Sequence, residues 1–255
     1  MKLFVSPLLA LMVSLLFAQS SWAVDVSKCS SVSNGQAKVI GIKAKLDNQK
    51  TISISGILLK PSGRGPFPIV LILPGTGGVL TPYCHGLLAD QFARWGYATL
   101  VVASNTAHDD TGRRLYDFSF TDQSNHARGA VEALASFTDI DRNRIAVWGF
   151  SRGGATAIEL ATNSQDRGQR FRAIMAAAPP CPTELVKPRT PLLVMIGTDD
   201  AFMSAQACKD YEAKLGGKSD FELLLLPGAN HVYWIKPNAA KQSALKMREF
   251  LRKHL

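Results

Sequence analysis

Several features that would assign a chain to a familiar class of protein are scarce or missing from these 255 residues. The four cysteines form neither a Cys-x-x-Cys pair nor a Cys/His pattern with metal-ligand spacing, so no zinc site is expected. The formal net charge is +9, yet Lys and Arg are scattered among acids, and no basic run resembles a nucleic-acid-binding arm. Internal repeats and low-complexity segments are also missing from the sequence. These absences favour a globular domain that binds neither a metal nor a nucleic acid.

Long hydrophobic runs are missing except at the start of the chain. One positive charge precedes an apolar run over residues 3–17, and the small residues Ser21 and Ala23 stand where a signal peptidase would cut before Val24. The alternative is a retained membrane anchor, but the run is shorter than the ~20 residues that a membrane span needs. We therefore expect residues 1–23 to be a signal peptide, and the protein to be periplasmic or secreted without stable membrane insertion.

An exported chain enters an oxidising compartment, where cysteines form disulfides. Four cysteines permit two disulfides in three pairings, and the sequence alone does not choose among these pairings. Two of the cysteines flank the strand predicted at residues 192–196, so they are placed to bridge neighbouring loops. The cysteines that flank this strand are Cys181 and Cys208, and the other two are Cys29 and Cys84.

The rest of the chain, residues 24–255, has the length of one large α/β domain. Apolar or β-branched runs predict eight strands, at residues 38–45, 52–59, 69–73, 98–103, 145–148, 173–177, 192–196 and 221–226. The first two alternate apolar and polar residues, and the later ones are almost wholly apolar, as parallel strands covered on both faces are. Helical patterns follow at residues 87–95, 124–137, 152–162, 205–215 and 238–254. This alternation predicts a mostly parallel eight-stranded sheet with helices on both faces.

The sequence Gly-Phe-Ser-Arg-Gly at residues 149–153 has the G-x-S-x-G spacing of a serine nucleophile. It follows a predicted strand and precedes a predicted helix, which is the order that a nucleophile elbow requires. The turn is so tight that only glycine on both sides avoids clashes, and this leaves the hydroxyl of Ser151 exposed. The alternative, a phosphate-binding glycine loop, lacks its characteristic motif here. Ser151 is therefore the predicted nucleophile.

A serine hydroxyl needs a histidine to take its proton and an acid to orient that histidine. Of the five histidines, His231 lies directly after the last predicted strand and before the final helix. Three others precede Ser151 in the chain, and His254 lies in the last turn of the terminal helix. The chain order Ser, acid, His therefore favours His231 as the base.

Two adjacent carboxylates, Asp199 and Asp200, follow the strand predicted at residues 192–196. A short acid after a strand often bonds to its own turn or caps the next helix, so one of the two is expected to be structural. Spacing alone does not choose between them.

The oxyanion that forms when serine attacks an ester needs two preset N–H donors. One is expected from Arg152, the residue after the nucleophile, and the other from the glycine-rich loop at residues 74–78. In that loop Thr76 is the preferred donor and Gly75 is the alternative, while Pro74 has no N–H to offer. The other interpretation of this segment is a plain turn.

The motifs at residues 73–78, 149–154, 197–200 and 227–231 resemble those of the dienelactone hydrolase family within the α/β-hydrolase superfamily. The resemblance spans nearly all of the chain after residue 23. It implies a single-domain α/β-hydrolase fold whose second strand is antiparallel, Asp200 as the acid, and no metal or organic cofactor.

Two positions differ from the family pattern. Ser151 stands where dienelactone hydrolases proper carry Cys, and Pro74 with Gly75 stands where many members have His-Gly. The resemblance therefore implies the fold and the reaction class more closely than the substrate.

Together these patterns predict a serine esterase that cleaves small carboxylic esters or lactones through an acyl-enzyme on Ser151. The connection at residues 179–191, where related folds often carry a lid, is short, which predicts an open site with no large cap. Arg113 and Arg114 follow the fourth strand on the ligand side and are candidates to pair with a substrate carboxylate. The alternative is that both are solvated loop residues.

Two other functions fit parts of the sequence. A peptidase or thioesterase uses the same three residues, which do not distinguish among acyl groups. A non-catalytic protein that binds an anionic envelope polymer fits the positive net charge. The complete set of nucleophile, acid and base favours the esterase, and the sequence does not determine the oligomeric state.

Overall fold

The computed structural model describes residues 37–78, 86–108, 119–163, 171–217 and 220–255. The predicted signal peptide, Cys29, Cys84, Arg113 and Arg114 lie outside these residues. Among the described helices, none combines the length and the apolar character that a membrane span requires.

Eight strands form a single sheet in the described part of the chain. They are β1 (Lys38–Lys45), β2 (Thr51–Leu59), β3 (Phe67–Leu73), β4 (Ala98–His108), β5 (Ile140–Phe150), β6 (Ala173–Ala177), β7 (Leu192–Gly197) and β8 (Phe221–Leu226). Their order across the sheet is β1-β2-β4-β3-β5-β6-β7-β8. β2 is antiparallel to both of its neighbours, and every other neighbouring pair is parallel. The expected mostly parallel sheet with an antiparallel second strand is confirmed.

Helices cover both faces of this sheet, as predicted. They are α1 (Gly86–Arg94), α2 (Phe120–Ala133), α3 (Arg152–Thr162), α4 (Ala205–Leu215) and α5 (Pro237–His254). One buried cluster joins Val70 and Ile72 of β3 to Phe92 of α1 and Phe250 of α5. The other cluster contains Leu71 of β3 together with residues of α2, α3 and α4. Leu71 points to the opposite face of the sheet because side chains alternate along a strand.

The start of α2 was predicted wrongly, at residue 124 instead of Phe120. The backbone N–H of Asp122 donates to the Ser119 hydroxyl at 3.0 Å, and the Asp122 carboxylate accepts from the backbone N–H of Ser119 at 2.9 Å. This reciprocal capping box satisfies N–H groups that a helix start leaves without partners, so the helix begins one turn earlier.

The strands β4 and β5 are longer than their apolar runs predicted. β5 begins at Ile140 instead of residue 145, because Ile140 pairs with Phe67 at the start of β3. β4 continues to His108, which pairs with Ser53 across a register shift. Strand pairing therefore extends both elements through polar residues that the hydrophobic pattern does not mark.

The segment after β6 bears on two predictions. Residues 178–191 contain no helix, in agreement with a site that lacks a large cap. Cys181 in this segment forms a disulfide with Cys208 of α4, with the two Cα atoms 5.0 Å apart. The bridge joins the two cysteines that the sequence places on either side of β7, and it runs from a loop to a helix instead of between two loops.

Candidate active site

Ser151 occupies the turn between the end of β5 and the start of α3. Its backbone has φ 53° and ψ −113°, a conformation that residues with a Cβ rarely adopt. No side chain fits at either flanking glycine. A Cβ on Gly149 would lie 2.0 Å from the Gly153 carbonyl oxygen, and a Cβ on Gly153 would lie 2.0 Å from the Leu73 carbonyl oxygen. The Ser151 N–H donates to the carbonyl of Ala177 at 2.8 Å, which fixes the turn to the end of β6.

His231 and Asp200 form a direct contact at the same edge of the sheet. The Nδ1 of His231 lies 2.8 Å from Oδ2 of Asp200, whose side chain is fully buried. The other oxygen of Asp200 accepts hydrogen bonds from the backbone N–H groups of Phe202 and Met203, each at 2.9 Å. These donors hold the carboxylate in one orientation, so that it can fix the tautomer of His231 with Nε2 left as the base.

Asp199 has a different environment from Asp200. It is exposed, and its carboxylate accepts a hydrogen bond from the Thr198 hydroxyl at 2.9 Å. Its backbone N–H donates to the carbonyl of Ala229 at 3.0 Å, and a Cβ on Gly197 would lie 2.1 Å from the same oxygen. The turn after β7 therefore packs directly on the loop that carries His231, and Asp199 serves this turn through its backbone.

The loop after β3 lies against Ser151. A Cβ on Gly75 would be 3.3 Å from the Cβ of Ser151, which is a tight contact, so the glycine lets the loop approach Ser151 closely. The carbonyl of Gly75 accepts a hydrogen bond from the N–H of Gly78 at 2.9 Å, which closes the turn over residues 75–78. Arg152 is the first residue of α3, and N–H groups of a first helical turn point out of the helix end. The predicted oxyanion residues Thr76 and Arg152 are thus on the two segments that flank Ser151.

The structure brings the three predicted residues to one edge without joining all of them. Among the hydrogen bonds of the described residues, none connects the Ser151 hydroxyl to His231. The ring of Phe150, next to Ser151, lies 4.9 Å from the ring of His231 between centroids. Catalytic hydrogen bonds commonly tighten only when substrate is bound, so the absence of a bond between Ser151 and His231 in the free protein is compatible with proton transfer.

Aromatic side chains around His231 were not identified from the sequence. The Phe202 ring lies 5.2 Å from the His231 ring and is 78% exposed, and the Trp234 ring lies 4.6 Å from that of Phe150. The positions of Phe150 and Phe202, directly before Ser151 and two residues after Asp200, are the sequence signals that could have indicated them. These rings give the site an apolar rim.

A second serine–histidine contact lies beneath this site and is closed to solvent. The Nδ1 of His126 on α2 is 3.0 Å from the hydroxyl of Ser104 on β4, and both residues are buried. Burial lowers the pKa of His126 from 6.5 to about 4, so its ring is neutral near pH 7. Without access for a substrate, this pair contributes to packing instead of chemistry.

Metal-ligating residues do not cluster in the parts of the chain that the structure describes. No group of three or more His, Cys, Asp or Glu side chains there could hold an ion.

Comparisons with known proteins point to one family. The sequence model of the dienelactone hydrolase family matches residues 54–255. An esterase from Escherichia fergusonii, FrsA, is 32% identical over 108 residues, which are 42% of this chain and 25% of FrsA. The quorum-quenching protein AidA of Acinetobacter baumannii is 27% identical over 144 residues, which are 54% of this chain and 44% of AidA. The matched region thus spans less than half the length of either relative.

The fold is also found among solved structures. The dienelactone hydrolase of Anabaena variabilis superposes with a TM-score of 0.64 at 21% identity, over 86% of this chain and 99% of that protein. At this identity the likeness concerns the arrangement of the sheet and helices.

Proposed function

The chain belongs to the dienelactone hydrolase family, and we propose that it is a serine esterase that cleaves small carboxylic esters or lactones through an acyl-enzyme on Ser151. The observation that carries this proposal is the contact between His231 and the fully buried Asp200, at the sheet edge where Ser151 occupies its strained turn. Buried carboxylate, histidine and serine in this chain order are the parts that acyl transfer requires.

In the proposed mechanism, His231 Nε2 takes the proton of Ser151 as the hydroxyl oxygen attacks the ester carbonyl carbon. The N–H of Arg152 and that of Thr76 or Gly75 donate to the oxyanion. His231 then gives its proton to the leaving alcohol, and the acyl group stays on Ser151. A water molecule, deprotonated by His231, then attacks the acyl-enzyme, and His231 returns this proton to the Ser151 oxygen as the acid leaves. Asp200 stabilises the positive charge that His231 carries in each step.

The apolar rim favours neutral acyl or alcohol groups in the substrate. Phe202 is largely exposed beside His231, so an apolar group of a bound ester would cover its ring and remove it from water. The names of FrsA, an esterase, and of the Anabaena dienelactone hydrolase support the choice of esters and lactones.

Export belongs to the same proposal. Residues 1–23 act as a cleaved signal peptide, and residues 24–255 form the hydrolase domain in the periplasm or outside the cell. The disulfide between Cys181 and Cys208 supports this, because such bonds persist in oxidising compartments. Mass spectrometry of protein from the native host should give an N-terminus at Val24, and an intact N-terminus would contradict cleavage.

The test is labelling with a fluorophosphonate probe, followed by mass spectrometry to locate the adduct. Wild type should be labelled at Ser151, and the Ser151→Ala and His231→Ala variants should not be. Rates on matched p-nitrophenyl ester, thioester and anilide substrates then separate an esterase from a thioesterase or a peptidase. A folded wild type with no adduct and no turnover would contradict the proposal and favour a binding protein.

A further inference from the structure

Gln123 on α2 joins the two segments that flank Ser151. It is 1% exposed, and neither the sequence motifs nor the family pattern indicates it. Its Nε2 donates to the carbonyl oxygen of Pro74 at 3.1 Å, and its Oε1 accepts from the hydroxyl of Thr156 at 2.9 Å. The Pro74 carbonyl can only accept, which determines the end of the amide that faces it. One buried side chain therefore connects the loop after β3 with α3.

The bond to Pro74 sets the direction of a candidate oxyanion donor. The peptide bond between Pro74 and Gly75 is trans, and in a trans peptide the C=O and N–H groups point in opposite directions. With its carbonyl held by Gln123, this peptide directs the Gly75 N–H away from α2. The next peptide is held in the same way, because the Gly75 carbonyl accepts from Gly78, and this directs the Thr76 N–H out of the turn.

The other end of Gln123 reaches the segment that carries the second donor. The Thr156 hydroxyl that donates to Gln123 lies 3.2 Å from the carbonyl oxygen of Arg152. The contact between the two segments is also tight, because a Cβ on Gly153 would lie 2.8 Å from the Pro74 carbonyl oxygen. The amide thus ties together two backbone segments whose separation sets the distance between the oxyanion donors.

We propose that Gln123 is a positioning residue for the oxyanion site, holding the loop donor at a fixed distance and direction from the Arg152 N–H. The inference rests on the proposed hydrolase function. Donors that are held in place before reaction stabilise the transition state without reorganisation, and this effect acts on kcat more than on KM. Gln123 does not touch the substrate, so its loss should not remove binding.

Asn125 offers a matched control on the same helix. It is also a buried amide, 7% exposed, and its Nδ2 donates to the Asp47 carboxylate at 2.9 Å. Its Oδ1 accepts from Arg128 at 2.8 Å, so Asn125→Leu removes two hydrogen bonds, as the Gln123 variant does. Asp47 lies in the turn between β1 and β2, and β4 and β3 separate these strands from β5 in the sheet, so the oxyanion loop is left untouched. Gln123→Met removes both of its bonds and keeps a side chain of similar length.

Steady-state kinetics on a p-nitrophenyl ester should separate the two variants. Loss of one oxyanion donor costs ~10²–10³-fold in kcat, so a displaced donor in Gln123→Met should cost roughly 10- to 100-fold. We expect KM to stay within about twofold, since ground-state binding is unaffected. Asn125→Leu should keep the wild-type kcat, with both variants checked for folding by urea denaturation.

A conservative variant gives a readout that a purely structural role would not produce. In Gln123→Glu, an ionised carboxylate cannot donate to the Pro74 carbonyl, whereas the protonated acid can. The ratio of variant to wild-type kcat should therefore rise as the pH falls toward the ordinary pKa of a Glu carboxyl, about 4.3 or higher if burial raises it. Taking the ratio cancels any loss of activity at low pH that wild type and variant share.

Each outcome bears on the inference. Wild-type kcat in folded Gln123→Met, an equal loss of kcat in Asn125→Leu, or a ratio independent of pH in Gln123→Glu would overturn it. If Gln123→Met does not fold, the pH dependence of Gln123→Glu decides. A wild type that neither turns over esters nor reacts with the probe overturns the proposed function and this inference with it, whereas an active wild type with unaffected variants overturns the inference alone.

Discussion

Asp199 and Asp200 are adjacent residues with opposite environments. The side chain of Asp200 is fully buried, and its hydrogen bonds go to His231 or hold its own carboxylate, while Asp199 is exposed and bonds to its neighbour Thr198. The difference arises because the turn after β7 directs one side chain under the His231 loop and the other into solvent. The pair therefore allows the proposed catalytic acid to be compared with an adjacent structural acid.

We predict that Asp200→Asn lowers kcat by roughly 10³- to 10⁴-fold, because an amide can donate to His231 Nδ1 and so favour the wrong tautomer. Asp199→Asn should keep kcat within about twofold, since only an exposed bond to Thr198 changes. Ester hydrolysis by both variants, measured side by side, checks this. Equal losses in the two variants would contradict the assignment of Asp200 as the acid.

The backbone of Ser151 stores strain that a glycine would release. Its φ of 53° and ψ of −113° place a residue with a Cβ in a sparsely populated region, at a cost of about 1–3 kcal/mol. We predict that Ser151→Gly is more stable than Ser151→Ala by about 1 kcal/mol, after the greater freedom of glycine in the unfolded chain is subtracted. Both variants should be inactive. Urea denaturation would measure the difference, and equal stability of the two would argue against strain in this turn.

At the scale of elements, the disulfide joins the loop after β6 to α4, with β7 between them in the sheet. Cys181 and Cys208 are 27 positions apart, so the bond closes a loop of moderate length in the unfolded chain. Both are buried with the side chains that cover the α2–α4 face of the sheet. The bond therefore restrains the packing of α4, while Asp200 is held by its own backbone donors.

We predict that the double variant Cys181→Ala/Cys208→Ala lowers the free energy of unfolding by about 3–4 kcal/mol, as expected from the entropy of closing a loop of this length. Its kcat should stay within about twofold of wild type, because the bonds of Asp200 to His231 and to the backbone of Phe202 and Met203 do not involve the disulfide. Denaturation and ester hydrolysis measure the two effects. A stable but inactive double variant would show that the bond positions the acid.

At the scale of the whole molecule, the buried His126 makes stability depend on pH. Burial lowers its pKa in the folded protein to about 4, against 6.5 for an ordinary histidine. The unfolded chain therefore takes up a proton at a higher pH than the folded protein does. Lowering the pH from 6.5 to about 4 therefore favours unfolding. The stability contributed by neutral His126 is complete above pH 6.5 and is lost as the pH falls to about 4.

We predict that the free energy of unfolding falls less between pH 7 and pH 4 in His126→Gln than in wild type, by up to about 3 kcal/mol. His254→Gln is the control. Desolvation and the charge of Lys253 also lower the pKa of His254, but His254 is less buried than His126. Urea denaturation across this pH range measures the slopes. Parallel curves for wild type and His126→Gln would mean that His126 does not titrate differently in the two states.

Much of the fold could be predicted from the sequence because it depends on neighbours in the chain. The apolar runs located all eight strands, and β1, β6 and β8 have the predicted bounds. The spacing at residues 149–153 placed Ser151 between β5 and α3, since the glycines and the flanking elements are local features. The start of α2 was missed even though its capping box, Ser119 and Asp122, is also local.

The contacts that assemble the candidate site depend on residues far apart in the chain, and only the tertiary structure decided them. His231 meets Asp200 across 31 positions, and Gln123 meets Pro74 across 49. A pattern of polar and apolar residues specifies which face of an element is buried, but the partner that a buried polar group finds depends on how helices pack across the sheet. The sequence by itself therefore determined most of the elements, the turn that carries Ser151 and the edge where polar residues gather. Packing determined which of two acids meets the histidine and which buried amide holds the loop beside Ser151.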